Sequence, residues 1–360
     1  MPVRKKFATV GAVLLLMALA IRAWPSAAGE ESRIVSREIR GASLVQSKIG
    51  TNPMRKLAIY LPTGYDRSTA RYPVIYYLQS PLDSFEVDFY AGRAKTLLDS
   101  ATAAHVIDPV VFVAVDMATP LGCSWYVNSP VTGNWEDFMV REVVPYIDST
   151  FRTLPDRDSR GIAGEFMGGY GAIRFGMTHP EVFGSVYALH PVGTGSGIYT
   201  MYSRPDWNFM ANIKSIGELK GKGYENIFTT IFQASVPDLD KPPLYIDLQA
   251  SKTGDVLTID SKVTERLRNN FLLETMIPKY ADNLKSLRGF RFDWARNDGN
   301  QDHVYSNQAF THKLNEFGIV HEAEEYNGVW SRGPWEDGGR VYAEVLPFFQ
   351  KSLVFDKRAQ

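Results

Sequence analysis

The sequence predicts an α/β protein in which a mostly parallel central sheet is covered by helices on both faces. Three observations carry this. Between Arg55 and Gly328 there are several short apolar runs rich in β-branched and aromatic residues, the composition of strands buried inside a parallel sheet. Between these runs lie segments whose apolar residues recur three and four apart, as a helix covering a sheet requires. The composition, 44% hydrophobic with 12% aromatic residues, is rich enough for a substantial core.

In chain order, the first six residues carry Arg4, Lys5 and Lys6, and an apolar run from Phe7 to Ile21 follows. Its 15 residues fall short of the roughly 20 that span a bilayer, and Ser26 and Ala28 suit cleavage before Gly29. Residues 1–28 are therefore expected to be a signal peptide and the protein to be periplasmic or secreted, with an uncleaved anchor as the alternative. Residues 29–360 are expected to form one domain with no stable membrane span. Strands are expected at Lys56–Leu61, Val74–Leu78, Val110–Asp116, Arg160–Gly164, Ser185–His190, Phe290–Trp294 and His321–Tyr326. Helices are expected at Trp135–Phe151, Gly169–Thr178, Lys262–Leu284, Gln308–Phe317 and Gly339–Phe349. The stretch from Gly193 to Leu287 is long for one crossover and mixes Gly-rich, Pro-rich and helical pieces, so it is expected to be a cap-like insertion over a cleft.

The 39 basic and 40 acidic side chains nearly cancel and form no long block of one sign, which excludes an electrostatic footprint for nucleic acid. A small-molecule or glycan ligand is expected instead. The single cysteine, Cys123, forms no internal disulfide. The six histidines show no helical pair with a partner glutamate and no cysteine cluster, so no metal is expected. The glycine-rich segment near Gly164 lacks the lysine and Ser/Thr of a phosphate loop, and no cofactor is expected.

That segment, Arg160-Gly161-Ile162-Ala163-Gly164-Glu165-Phe166-Met167-Gly168-Gly169-Tyr170-Gly171-Ala172, passes from an apolar strand through a Gly-bounded turn into a helix. It resembles the nucleophile elbow of esterase D-like α/β-hydrolases, a family that includes S-formylglutathione hydrolases, feruloyl and acetylxylan esterases and mycolyltransferase antigens. Tyr72-Pro73-Val74-Ile75-Tyr76-Tyr77-Leu78 resembles the family's oxyanion-side strand. Asn128-Ser129-Pro130 with Trp135-Glu136-Asp137-Phe138 resembles the region before its next helix, so the likeness covers most of residues 55–350. The resemblance implies an α/β-hydrolase fold. It also implies that Phe166 stands where the serine of G-x-S-x-G-G belongs, and that Asp302 matches the triad acid. Tyr326-Asn327-Gly328-Val329-Trp330 is similar to the Y-x-G-x-H segment, with Trp330 in place of the histidine, and Gln79-Ser80 replaces the family's His-Gly.

Phenylalanine offers no nucleophile, and the indole N–H of tryptophan donates without an accessible lone pair. The expected function is therefore binding of an aromatic, lipidic or glycan-derived small molecule in a cleft lined by Gln79, Ser80, Phe166, Met167 and Trp330. The alternative is an enzyme doing acid–base chemistry of lyase, isomerase or dehydratase type with Glu165, His190 or Asp302; a residual carboxylic ester hydrolase comes third. Each acid–base candidate also has a plain reading: an ion pair for Glu165, a wall residue for His190 and a fold-supporting relic for Asp302. His303 and Ser331 complete the polar groups expected near the cleft.

Overall fold

The computed structural model describes residues 31–80, 89, 92–196, 204–330, 333–336 and 338–356. The expected signal segment and Ser331 lie outside the described residues. Eight strands form one sheet: β1 (Arg33–Arg40), β2 (Met54–Leu61), β3 (Val74–Leu78), β4 (Val111–Val115), β5 (Arg160–Glu165), β6 (Ser185–Leu189), β7 (Gly289–Ala295) and β8 (Glu322–Tyr326). Their spatial order is β1-β2-β4-β3-β5-β6-β7-β8. From β4 to β8 every pairing is parallel, and β1 and β2 add antiparallel pairs at one edge.

The central strand shows why these runs fold this way. All five residues of β3 are buried: Val74, Tyr76 and Leu78 enter one core, Ile75 and Tyr77 the other. A strand with two buried faces must be apolar at every position, which is what its sequence shows. The strand β1, Arg-Ile-Val-Ser-Arg-Glu-Ile-Arg, was not expected. It is an edge strand whose half-exposed face carries charge, and its polar sequence hid it.

Helices cover both faces. The second core holds α1 (Arg93–Ala103), whose Ala94, Leu97, Leu98 and Ala101 face inward at helical spacing, together with the C-terminal helix. On the other face, α2 runs from Trp135–Asp137 through a π-helical Phe138–Val143 into Val144–Thr150. The widened turn precedes Pro145, which has no N–H to give to the preceding turn. The C-terminal helix repeats this device, with a π-helical Val341–Val345 before Leu346–Ser352 and Pro347. Helix α3 (Met167–Thr178) follows β5 directly and packs against β6.

Residues 193–287 contain a short helix Trp207–Asn212, α4 (Gly223–Ser235), a hairpin of Ala250–Thr253 with Val256–Ile259, α5 (Ser261–Phe271) and α6 (Leu273–Lys285). The single helix expected over Lys262–Leu284 is thus two. Leu272 takes extended φ/ψ of −73° and 121° between them, which keeps both Leu272 and Leu273 buried. Helix α7 (Gln301–Glu316) begins seven residues before its expected start. Among the described residues no helix is long and apolar enough to cross a membrane.

Candidate functional site

Strand β5 ends at Glu165, and Phe166 makes the turn into α3 with φ 55° and ψ −107°, a region that side-chain-bearing residues rarely occupy. The turn is held from both sides. Phe166 N–H donates to Leu189 O at 2.9 Å, and Phe166 O accepts from Tyr170 N–H at 3.1 Å. Its glycines are required by close approach: a Cβ on Gly168 would lie 1.8 Å from Leu78 O, and one on Gly164 would lie 2.2 Å from Gly168 O. The geometry is that of a strand–elbow–helix turn at the carboxyl ends of parallel strands, where open α/β sheets bind their ligands.

The Phe166 ring meets three other rings. Its centroid is 4.4 Å from that of Trp330, 5.1 Å from His303 and 6.2 Å from His190. Trp330 follows β8 and meets the elbow there, as the resemblance of its segment to the family's histidine segment implied. His190, just past β6, is buried at a φ of 43°.

The polar centre of this cluster is Asp298, which the sequence reading did not single out. Its Oδ2 lies 2.8 Å from His190 Nε2 and 2.7 Å from His303 Nδ1, and its Oδ1 accepts the Asn300 N–H at 2.9 Å. Burial opposes ionisation of this carboxyl, but the hydrogen bonds from His190 and His303 win and hold it well below the ordinary carboxylate range. The tautomers follow. Ala295 N–H donates to His190 Nδ1 at 3.0 Å, so the His190 proton sits on Nε2 and points at Asp298. Burial, outweighing the pull of Asp298, lowers the His190 pKa below its usual value and keeps this ring neutral. His303 gives its Nδ1–H to Asp298, and its Nε2 takes a hydrogen from Asn300 Nδ2 at 2.9 Å.

His190, Asp298 and His303 place three donor atoms within 4.8 Å of one another, a grouping that sequence spacing did not reveal. Two imidazoles and a carboxylate are a recognised metal-ligand set. Here the locked tautomers work against it, because His190 Nε2 and His303 Nδ1 present protons rather than lone pairs to the common point. The trio is built as a hydrogen-bonded unit.

A cavity of about 220 Å³ opens beside Phe166, walled by Met167 and by Trp125, Phe228, Ile231 and Phe271, the last three from α4 and α5. Its polar end is made by Arg204, Asn300, Asp302 and His303. Trp125 is positioned by a positive φ of 53° and an Nε1–H bond of 2.9 Å to Thr230 Oγ1.

The expected site residues are not all in one place. Asp302, which the resemblance matches to the triad acid, pairs with Arg204 at the cavity wall, while Asp298 takes the two histidines. The reason lies in the start of α7: Asp298 precedes its first turn, next to His190, whereas Asp302 is one turn further on. Glu165 does not converge with Asp302. It lines a second cavity of about 200 Å³, on the far side of the ring cluster, with Asp293, Tyr326, Trp330 and Arg340. Trp330 is on that second cavity and Met167 on the first, so the expected lining set is divided by the Phe166 ring. Ser80 is buried, and the Gln79 amide is buried without a hydrogen-bond partner among the described residues. Neither is among the residues lining the two cavities.

Strand order, parallel pairing and elbow together define an α/β-hydrolase-fold protein. The chain belongs to the esterase family described as "Putative esterase", which matches residues 50–319. An esterase of Mycobacterium tuberculosis is 26% identical over 288 residues, covering 78% of this chain and 53% of the relative, so the chain spans about half that relative's length. An endo-1,4-beta-xylanase/feruloyl esterase of Xylanibacter ruminicola is 30% identical over 139 residues, 37% of this chain and 19% of the relative. Among solved structures, a ferulic acid esterase is similar with a TM-score of 0.61 at 19% identity, covering 90% of this chain and 99% of the other. An S-formylglutathione hydrolase from Agrobacterium tumefaciens gives 0.56 at 14% identity, covering 90% and 97%. At these identities the structural likeness establishes the fold.

Proposed function

We propose that this family member has lost the serine–histidine pair of its relatives and binds a small apolar or aromatic molecule in the 220 Å³ cavity, after export with removal of residues 1–28. The observation that carries this reading is Phe166 itself: the side chain at the strained turn is a ring packed 4.4 Å from the Trp330 ring, with no hydroxyl at that position and an indole where the relatives' histidine belongs. The neighbouring cavity, with its Trp125, Phe228 and Phe271 walls, supplies the burial and ring contacts such a ligand needs.

The test uses the exported protein. Its intact mass should correspond to a chain beginning at Gly29. A fluorophosphonate probe should leave it unlabelled, and native mass spectrometry against aromatic alcohols, acids and fatty acids should find a retained ligand. Phe166→Ser combined with Trp330→His should gain probe reactivity. Labelling of the unmodified protein at any serine of the site would overturn the reading.

A further inference from the structure

We propose that His303, oriented by Asp298, is a general base that activates water for direct attack on the carbonyl of a small ester held in the 220 Å³ cavity, with no acyl-enzyme intermediate. The inference rests on the binding reading and adds a reaction to it. It stands on three features of the site. The bond of 2.7 Å between His303 Nδ1 and Asp298 Oδ2 fixes the tautomer in which Nε2 carries the lone pair. Asn300 Nδ2, 2.9 Å away, donates to that lone pair, so the proposed water takes the place of this amide at Nε2. His303 also lines the cavity, whereas Asp298 is set behind it, so the base faces the ligand space and its orienting carboxylate does not.

His190 and the Asn300 N–H give Asp298 two further hydrogen bonds, so the carboxylate is ionised and fixed when the imidazole beside it takes up a proton. This is a carboxylate–histidine pair spaced five residues apart, assembled next to an elbow whose own residue is a phenylalanine. Asp302 is not available for the same work because Arg204 holds it.

The step balances without any further reagent. A water O–H bond breaks and its proton goes to His303 Nε2. The water oxygen bonds to the ester carbonyl carbon, and the C=O π pair moves onto oxygen. That developing charge is assigned to the first-turn N–H groups of α3, which have no acceptor within the helix. Collapse of the tetrahedral species breaks the C–O ester bond, and the departing alkoxide takes the proton back from His303. One ester and one water give one acid and one alcohol.

The experiment measures hydrolysis of phenyl acetate and methyl benzoate by the exported protein after fluorophosphonate treatment, with benzyl alcohol affinity measured in parallel. Turnover should survive the inhibitor. His303→Gln should lower kcat by about 10²–10⁴-fold, far more than it changes benzyl alcohol affinity. Asp298→Asn, which keeps the imidazole and removes its ionised partner, should lose activity similarly. If both variants fail to fold, turnover by the unmodified protein should still slow in D₂O, because the water proton moves in the attacking step. Binding without turnover, full activity in His303→Gln, or rates equal in H₂O and D₂O would overturn the inference and leave the binding reading standing. Loss of turnover to the fluorophosphonate would overturn both.

Discussion

Replacing Phe166 by alanine and by glycine separates what its ring contributes from what its backbone costs. Phe→Ala at a fully buried site costs about 3–5 kcal/mol, and Phe166 is only partly buried, so about 3 kcal/mol is expected for loss of its contacts with Trp330, His303 and His190. Alanine keeps a Cβ and therefore keeps the strain of φ 55°, ψ −107°, which is worth about 1–3 kcal/mol. Glycine loses the same contacts but relieves that strain, against an entropic penalty of about 0.5–1 kcal/mol relative to alanine. Taking midpoints, Phe166→Gly should be more stable than Phe166→Ala by about 1 kcal/mol, the reverse of their order in an ordinary helix or strand. Urea unfolding followed by tryptophan fluorescence reads this as a higher midpoint for the glycine variant at an unchanged slope. An alanine variant as stable as the glycine variant would refute the claim that the turn is strained.

Four further substitutions test the packing and the electrostatics. Gly168→Ala would drive a Cβ to within 1.8 Å of Leu78 O, a backbone atom that cannot rotate away, so it should cost more than about 4 kcal/mol or prevent folding. Gly223→Ala at the start of α4, where no atom lies within 4 Å, should be neutral or stabilising; equal effects on soluble yield and midpoint would sink the packing argument. For pH, the folded state lowers the His190 pKa, so below the unfolded value of about 6.5 the unfolded chain takes up a proton that the folded one refuses. Stability from this group is present above about pH 6.5 and falls as pH drops toward the folded pKa. His179 is held above its usual value: burial works against this, but Glu136 at 2.8 Å and Glu181 at 2.9 Å win, so its contribution is present below about pH 6.5 and lost as pH rises through the folded value. His190→Gln should therefore flatten the acid side of a urea-midpoint profile and His179→Gln the alkaline side; unchanged slopes in both would disprove the assignments.

The sheet was legible because burial on two faces leaves no freedom at a position. Val74–Leu78 is predicted to the residue, and the other expected strands agree with the structure to within two residues at either end. Where one side meets water the signal weakens, so β1 went unread, as did α1, whose inward positions include two small alanines. The break at Leu272 changes the backbone without interrupting the apolar periodicity, and periodicity therefore saw one helix where there are two. In the site, the resemblance of the glycine-bounded turn and of Tyr326–Trp330 to the family's segments implied that Phe166 and Trp330 could face each other, and the structure contains that contact. Asp298 was not legible because its partners are set by folding: His190 is 108 residues away in the chain, and His303 reaches back over the first turn of α7. The available signal was Asn297-Asp298-Gly299 just after a strand, a turn that aims a short carboxylate at the strand ends.

The elbow and the histidine cluster carry different weight for function. The elbow's glycines are held in place by the contact between β3, β5 and α3, so the turn persists whatever residue it displays, and its survival says nothing about catalysis. The cluster is another matter. A carboxylate and two imidazoles in a largely buried setting are costly unless each hydrogen bond is met, and an idle cleft gains by exchanging them for apolar side chains. Here the His190 proton, the His303 proton and the Asn300 N–H all terminate on one ionised carboxylate, and the one imidazole lone pair at the cavity, on His303 Nε2, meets only the Asn300 amide. A network that resolves to one basic nitrogen beside an aromatic pocket is the arrangement that acid–base chemistry requires. That asymmetry favours a working His303 over a relic and makes its glutamine variant the more informative of the two tests of the site.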